Sequence, residues 1–330
     1  MLGLLLVVVV VALVFDFTNG FHDAANAVAS AVSTRALTPR AAILLAAVGN
    51  LAGALLSTGI ATTIAASIIV PPPGRAGIAV VLAALVGAVV WNLVTWYFGL
   101  PSSSSQALVG GLVGAGLASG SAVEWVSGVV SKILVPMVLS PAIGLVGGYL
   151  VMLAALWLLR RADPHRVERG FRRAQVFSAG SLALGHGLQD AQKGMGVIVL
   201  ALVTLGYQDT YAVPLWTVAA CALALAAGTS SGGWRIMRTL GRRIFPLTPV
   251  HGFAAEVTAS SVLYLTAFVV AAPVSTTQVV TASIMGVGST RRLSAVRWAV
   301  AREIAVAWVL TLPAAALAGA LAYPLTRLLV

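Results

Sequence analysis

The chain has 330 residues, 59% of them hydrophobic and only 9% charged, with a mean hydropathy of +0.99. A soluble domain usually carries about a quarter of its residues as charges, and a disordered chain needs low hydrophobicity and many charges; this composition argues against both. Its 20 Lys+Arg outnumber 9 Asp+Glu for a net charge of +11, yet no basic run is interleaved with base-stacking aromatics, so the excess points away from nucleic acid.

A helix crosses the ~30 Å hydrocarbon core of a bilayer with roughly 20 apolar residues. In chain order, the segments predicted to do so in the first half are Leu2 to Ser33, Ala41 to Val70, Ala76 to Phe98, Ser102 to Ser119 and Val126 to Leu159. The second half offers Ala174 to Leu205, Tyr211 to Ala227, Val250 to Ala272, Val274 to Gly288 and Arg302 to Tyr323. The stretch from Met1 to Val14 has neither a basic start nor a small-residue cleavage site, so it reads as part of a first span rather than a signal peptide. Cys221 is the single cysteine, which excludes an intrachain disulfide and a cysteine-cluster metal site.

The cations orient these segments. Arg35 and Arg40, six arginines from Arg160 to Arg173, four from Arg235 to Arg243 and four from Arg291 to Arg302 make up 16 of the 20. If those loops face the cytoplasm, the chain crosses the cell (inner) membrane as a multi-pass protein with both termini on the extracytoplasmic side. Arg75 and Arg327 then lie outside, Lys132 lies near the outer surface, and Asp23, Asp190 and Lys193 are the charges left within the membrane. The expected organisation is a first membrane repeat at 1–159, a cytoplasmic basic linker at 160–173, and a second repeat at 174–330.

Two motifs recur in the same order. Asn19-Gly-Phe-His-Asp-Ala-Ala-Asn26 aligns with His186-Gly-Leu-Gln-Asp-Ala-Gln-Lys193, and Pro101-Ser-Ser-Ser-Ser-Gln106 with Pro273-Val-Ser-Thr-Thr-Gln278. The chain is an internal duplication. The first motif runs inward in one half and outward in the other under the orientation above. That predicts an all-α polytopic protein of two inverted-topology repeats, each of about five membrane segments, with broken helices or re-entrant hairpins at the Pro-Ser/Thr motifs. Such symmetry belongs to carriers with a site at the repeat interface, and channels share it.

A carboxylate at membrane depth costs at least ~2.5 kcal/mol and normally faces a partner, a cation or a cavity. Asp23 and Asp190 are therefore candidate site residues, with Asn26 and Lys193 three positions later on the same helix face. Lys193 reads either as an ion-pair partner of an aspartate or as a ligand to an anion. Proline suits the first turn of a helix, and hydroxyls beside free N–H groups at a helix start bind anions. Ser103, Ser104 and Ser105 with Ser275, Thr276 and Thr277 thus read as two facing oxyanion cradles; plain helix capping is the simpler alternative. A dianion beside both aspartates would gather about four negative charges in a medium of low dielectric. Co-bound Na⁺ or H⁺, hence symport, follows. His22 and His186 are candidate proton carriers or packing contacts, and Trp91, Trp96 and Tyr97 an interface belt.

The stretches Asn19-Gly-Phe-His-Asp-Ala-Ala-Asn-Ala, Gly185-His-Gly-Leu-Gln-Asp-Ala-Gln-Lys-Gly-Met-Gly and Pro273-Val-Ser-Thr-Thr-Gln resemble the signatures of the inorganic phosphate transporter (PiT) family, and the short central loop resembles its prokaryotic members. The resemblance implies phosphate uptake coupled to Na⁺ or H⁺, a homodimer in the lipid bilayer, no cofactor and no enzymatic activity. It places phosphate among Asp23, Asn26, Ser103 to Ser105, Asp190, Lys193 and Ser275 to Thr277. It places the cation near Asp23, Asn26, Asp190, Gln106, Gln278 and Glu256, with Na⁺ at Asp23 and Asp190. Gln106 and Gln278 stand where many members have His, and Asn50 where animal members have Glu, so titratable gating and coupling ratio do not carry over. A sulfate permease of the same superfamily and a passive anion channel are the alternatives. A metal-dependent intramembrane hydrolase would leave the duplication unexplained.

Overall fold

The computed structural model describes every residue except 234, 235 and 238, and the backbone alone of residue 242. Arg235 and Arg238, half of one expected arginine cluster, therefore lie outside the described residues. The chain is helical nearly throughout. Its helices are α1 (Leu2–Ser33), α2 (Pro39–Ala54), α3 (Gly59–Ser67), α4 (Arg75–Phe98), α5 (Ser104–Ser119), α6 (Trp125–Leu158), α7 (Pro164–Thr204), α8 (Leu215–Ser231), α9 (Pro249–Val270), α10 (Thr276–Ser289) and α11 (Trp298–Leu329). Two short strands, β1 (Ile69–Val70) and β2 (Ala122–Val123), pair antiparallel.

Every expected segment appears, but they differ in kind. Among the described residues, α1, α4, α6, α9 and α11 are long and apolar enough to cross a membrane, and α2 with α3, bent by 68°, meets the same test only as a pair, which is the form of a broken span or of a re-entrant loop. The bend leaves the first amides of α3 without intrahelical acceptors. Gln192 on α7 supplies one, since its Oε1 accepts from Ile60 N at 2.8 Å and Ala61 N at 3.1 Å. At about 1.5 Å per residue, α5 and α10 reach only ~24 and ~21 Å, short of a crossing, because each begins at its Ser/Thr motif.

Caps account for the helix starts. Pro39, Pro164 and Pro249 occupy first turns behind the caps Thr38, Asp163 and Thr248. Asp163 accepts from His165 N at 2.8 Å. The basic segment after residue 160 is therefore mostly the exposed first turns of α7, a single helix of 41 residues.

Large apolar side chains on α6 and α11 point outward, including Val126, Val138, Leu158, Val309 and Leu328, as a lipid-facing surface requires. Two apolar clusters fill the interior. One gathers residues 5–15 of α1 with α3, α4, α5, α8 and the last turns of α7; the other gathers residues 25–29 of α1 with α2, α9 and α10. The polar residues of α1 lie between them.

Candidate functional site

The two Pro-hydroxyl motifs build the site first. Both prolines lie two residues before the helix cap rather than in the first turn, which corrects the expected placement. The cause is side-chain chemistry. Ser103 accepts from Gln106 N at 3.2 Å and Ser275 from Gln278 N at 3.3 Å, and a capping hydroxyl fixes where the helix begins. Capping therefore occupies Ser103 and Ser275. It also leaves the N–H groups of residues 104, 105, 276 and 277 without intrahelical acceptors. These amino-terminal ends adjoin, for Ser105 Oγ donates to the Val274 carbonyl at 3.0 Å. Two partial positive helix ends thus share one small volume.

The remaining hydroxyls meet α1 and α7. Ser104 Oγ donates to Asp23 Oδ2 at 3.0 Å and Thr277 Oγ1 to Asp23 Oδ1 at 3.2 Å. Asn26 Nδ2 donates to Thr277 at 2.7 Å, and Lys193 Nζ donates to Ser104 at 2.7 Å. Each α1 or α7 donor therefore reaches the hydroxyl motif of the other half of the chain. Lys193 Nζ also stands 2.9 Å from Asp190 Oδ1, and His186 Nε2 stands 3.3 Å from Asp190 Oδ2. His22 Nδ1 lies 2.7 Å from Asp23 Oδ1. Its Nε2 faces Thr95 Oγ1 at 3.2 Å.

The site is closed. Asp23, Asn26, Lys193, Ser103, Ser104, Thr276 and Thr277 are 1% exposed and Asp190 is 0%. Oxygens of Asp23, Asp190 and a nitrogen of His186 lie within 4.8 Å of one another, a spacing that could hold a cation. Unpartnered acceptors remain at Asn26 Oδ1, Thr276 Oγ1 and Gln106 Oε1.

Not every expected residue joins this group. Gln278 is buried, but its hydrogen bond to the cap is made through the backbone. Glu256 lies apart, accepting from Ser30 at 2.6 Å, from Gln175 at 2.9 Å and from Ser178. Its partner Ser30 follows Asn26 by one helical turn. Thr95 and Ser102 hydrogen-bond each other at 2.7 Å beside His22; Ser102 belongs to the quoted motif but lies outside the expected cradle, and Thr95 escaped the sequence reading because single hydroxyls in apolar helices usually bond their own backbone. Asp16 escaped it too: it is a further acidic residue inside an apolar span, 0% exposed on α1.

Comparison with known proteins adds a separate line of observation. The model of the phosphate transporter family matches residues 19–319. The chain is 49% identical to a Mycobacterium bovis protein named probable low-affinity inorganic phosphate transporter, over 99% of this chain and 78% of that one. It is 43% identical to a Bacillus subtilis protein of the same name, covering 98% and 97%, and 48% identical to one from Rhizobium meliloti, covering 97% and 96%. The solved structure of a protein named the sodium-dependent phosphate transporter superposes with a TM-score of 0.88 at 24% identity, over 99% of this chain and 100% of that one.

Proposed function

The chain belongs to the phosphate transporter family, and on that premise we propose that it imports inorganic phosphate across the cell membrane by symport with a cation. The observation that carries this reading is the junction of two helix amino-termini and their hydroxyls around Asp23 and Lys193. Phosphate oxygens accept from Ser104, Ser105, Thr276 and Thr277, from the free N–H groups beside them and from Lys193. Asp23 then accepts the P–OH proton of a protonated phosphate. Sulfate carries no such proton at neutral pH and meets a repelling carboxylate instead, which favours phosphate as substrate.

Charge sets the coupling. With Asp23 and Asp190 ionised and Lys193 protonated, the pocket holds one net negative charge, and a phosphate anion deepens it. A cation bound among Asp23, His186 and Asp190 offsets that charge in a medium where it is poorly screened. The structurally similar transporter is named as sodium-dependent, which supports Na⁺; H⁺ is the alternative. We assign Glu256, away from this group, to holding α1, α7 and α9 together.

The two halves, 1–159 and 174–330 joined by the basic segment 160–173, act as inverted repeats that rock about the site. The cross-pairing of Asn26 with Thr277 and of Lys193 with Ser104 supports that arrangement. Cytoplasmic arginine loops put both termini outside, and two copies form the working dimer in the bilayer. No cofactor takes part, and the transporter names of the relatives favour a carrier over an enzyme.

Uptake of labelled phosphate into proteoliposomes, with Na⁺ and pH gradients imposed separately, tests the reading. Uptake driven by at least one gradient is expected. Flux indifferent to both would make the protein a channel, and uptake blocked by sulfate but not arsenate would make it a sulfate permease.

A further inference from the structure

Asp16 is a buried acid that neither the mechanism above nor the packing around Glu256 uses. It stands on α1 two turns before Asp23, is 0% exposed, and neither carboxylate oxygen has a hydrogen-bond partner. The side chain presses against α7. A Cβ at Gly194 would sit 2.0 Å from Asp16 Oδ2 and 2.4 Å from Oδ1. Residue 194 must therefore be glycine, because the carboxyl group occupies the space of a side chain.

The surroundings decide what that carboxyl can hold. The Cys221 thiol of α8 and the Gly194 N–H face it, and Lys193 and Asp190 are the charges that act on it from α7. Lys193 is already engaged by Asp190 at 2.9 Å and Ser104 at 2.7 Å. Among the described residues, the other helices against α1 bring no charge to this level: α4 has only Arg75 and Tyr97 at its two ends, α2 has Arg40 at its start, the helical turn Thr239–Arg243 meets α1 at Ala29 and Ser33, and Glu256 of α9 is engaged at Ser30. An ionised carboxylate faced only by a thiol and one helix N–H, neither within hydrogen-bonding geometry, and with no free cation to pair with, is unstable at membrane depth. A metal cation of the hard class needs several oxygen ligands, and the contact with Gly194 leaves no room for one. A proton needs neither.

We propose that Asp16 is a proton-binding site of the transport cycle, separate from the phosphate site. The carboxyl is protonated while packed against Gly194. When α1 and α7 part and water reaches it, the O–H bond breaks, the proton passes to water, and the carboxylate remains hydrated; reprotonation from the opposite side returns it to the packed form. This inference rests on the symport reading and deepens it by naming the proton as a coupling ion and Asp16 as its carrier.

Asp16→Asn in proteoliposomes tests it, since Asn copies the shape of the protonated acid. The readout is the ratio of pH-gradient-driven phosphate uptake to phosphate counterflow without a gradient, which is expected to fall about tenfold or more. An unchanged ratio overturns the assignment. Wild-type protein without any counterflow would instead remove the transport reading itself, so the two failures are distinct. A variant-free measurement stands beside it: wild-type protein labelled with ¹³C-aspartate should show the isotope-shifted infrared C=O stretch of a protonated carboxylic acid at neutral pH. Absence of that band overturns the proposal whether or not the Asn variant folds.

Discussion

Lys193 and Ser104, 89 positions apart in the chain, meet at 2.7 Å with no solvent between them. The ammonium also holds Asp190 at 2.9 Å, so it links a carboxylate of its own helix to the hydroxyl at the start of α5. Removing one partner of a buried ion pair leaves an uncompensated charge, at about 3–5 kcal/mol. Lys193→Met is expected to lower thermal stability on that scale and to abolish uptake. The double variant Lys193→Met/Asp190→Asn should recover stability without recovering uptake. Thermal unfolding in detergent and uptake in proteoliposomes measure the two effects; recovery of both would leave Lys193 with a purely structural role.

Ser104 and Thr277 each donate to Asp23, and in the proposed mechanism each turns that single O–H to phosphate. A hydrogen bond to a charged group contributes about 1.5–3 kcal/mol, which corresponds to roughly ten- to a hundredfold in apparent affinity. Ser104→Ala and Thr277→Val should raise the KM for phosphate within that range, and Thr277→Ser should restore it. Initial-rate uptake across phosphate concentrations reads this directly.

On the proposed reading, the Asp23 carboxylate distinguishes a protonated from an unprotonated tetrahedral anion. Asp23→Asn presents an amide that accepts or donates, and so should lose most phosphate uptake while narrowing the preference over sulfate. Competition of sulfate against residual phosphate uptake is the measurement. A preference unchanged from wild type would place discrimination elsewhere.

Glu256 accepts from Ser30, Gln175 and Ser178 and thereby ties α9 to α1 and α7. Glu256→Gln exchanges one acceptor oxygen for a donor and leaves a buried donor opposed, at about 1–3 kcal/mol. Thermal stability should fall accordingly, with the KM for phosphate within about twofold of wild type. A tenfold rise in KM would put Glu256 in the site after all.

The approach of α7 to α2 depends on Gly187, where a Cβ would lie 2.2 Å from the Asn50 carbonyl oxygen; at Gly180 on the same helix the nearest atom is the end of Leu45, at 3.7 Å. Gly187→Ala should force the helices apart and destabilise the fold, while Gly180→Ala should be tolerated. Thermal unfolding of the two variants makes the comparison.

The spans and the site core were legible for different reasons. The spans follow from hydropathy, and Asp23, Asp190, Asn26 and Lys193 stood out because the duplication pairs Asp23 with Asp190 and Asn26 with Lys193. Asp16 lacks that advantage: its counterpart at the same offset is Ala183, and one acid after fifteen largely apolar residues draws less notice than a repeated motif. The starts of α5 and α10 were misplaced by two residues because a serine hydroxyl, not the proline ring, fixes them. The separation of Glu256 from the aspartates was invisible, since it depends on which turn of α1 faces α9. Linear sequence does not specify that angle.

Closure of the site by its own side chains changes what binding means here. Lys193 with Ser104 and Asn26 with Thr277 are already bonded to each other, so an arriving anion does not add contacts to a waiting cavity. It trades with them, bond for bond. Such an exchange reaction has a shallow free-energy difference in either direction, because every contact surrendered on arrival is available again on departure. On the proposed reading, release is thereby built into the same atoms that recognise the cargo.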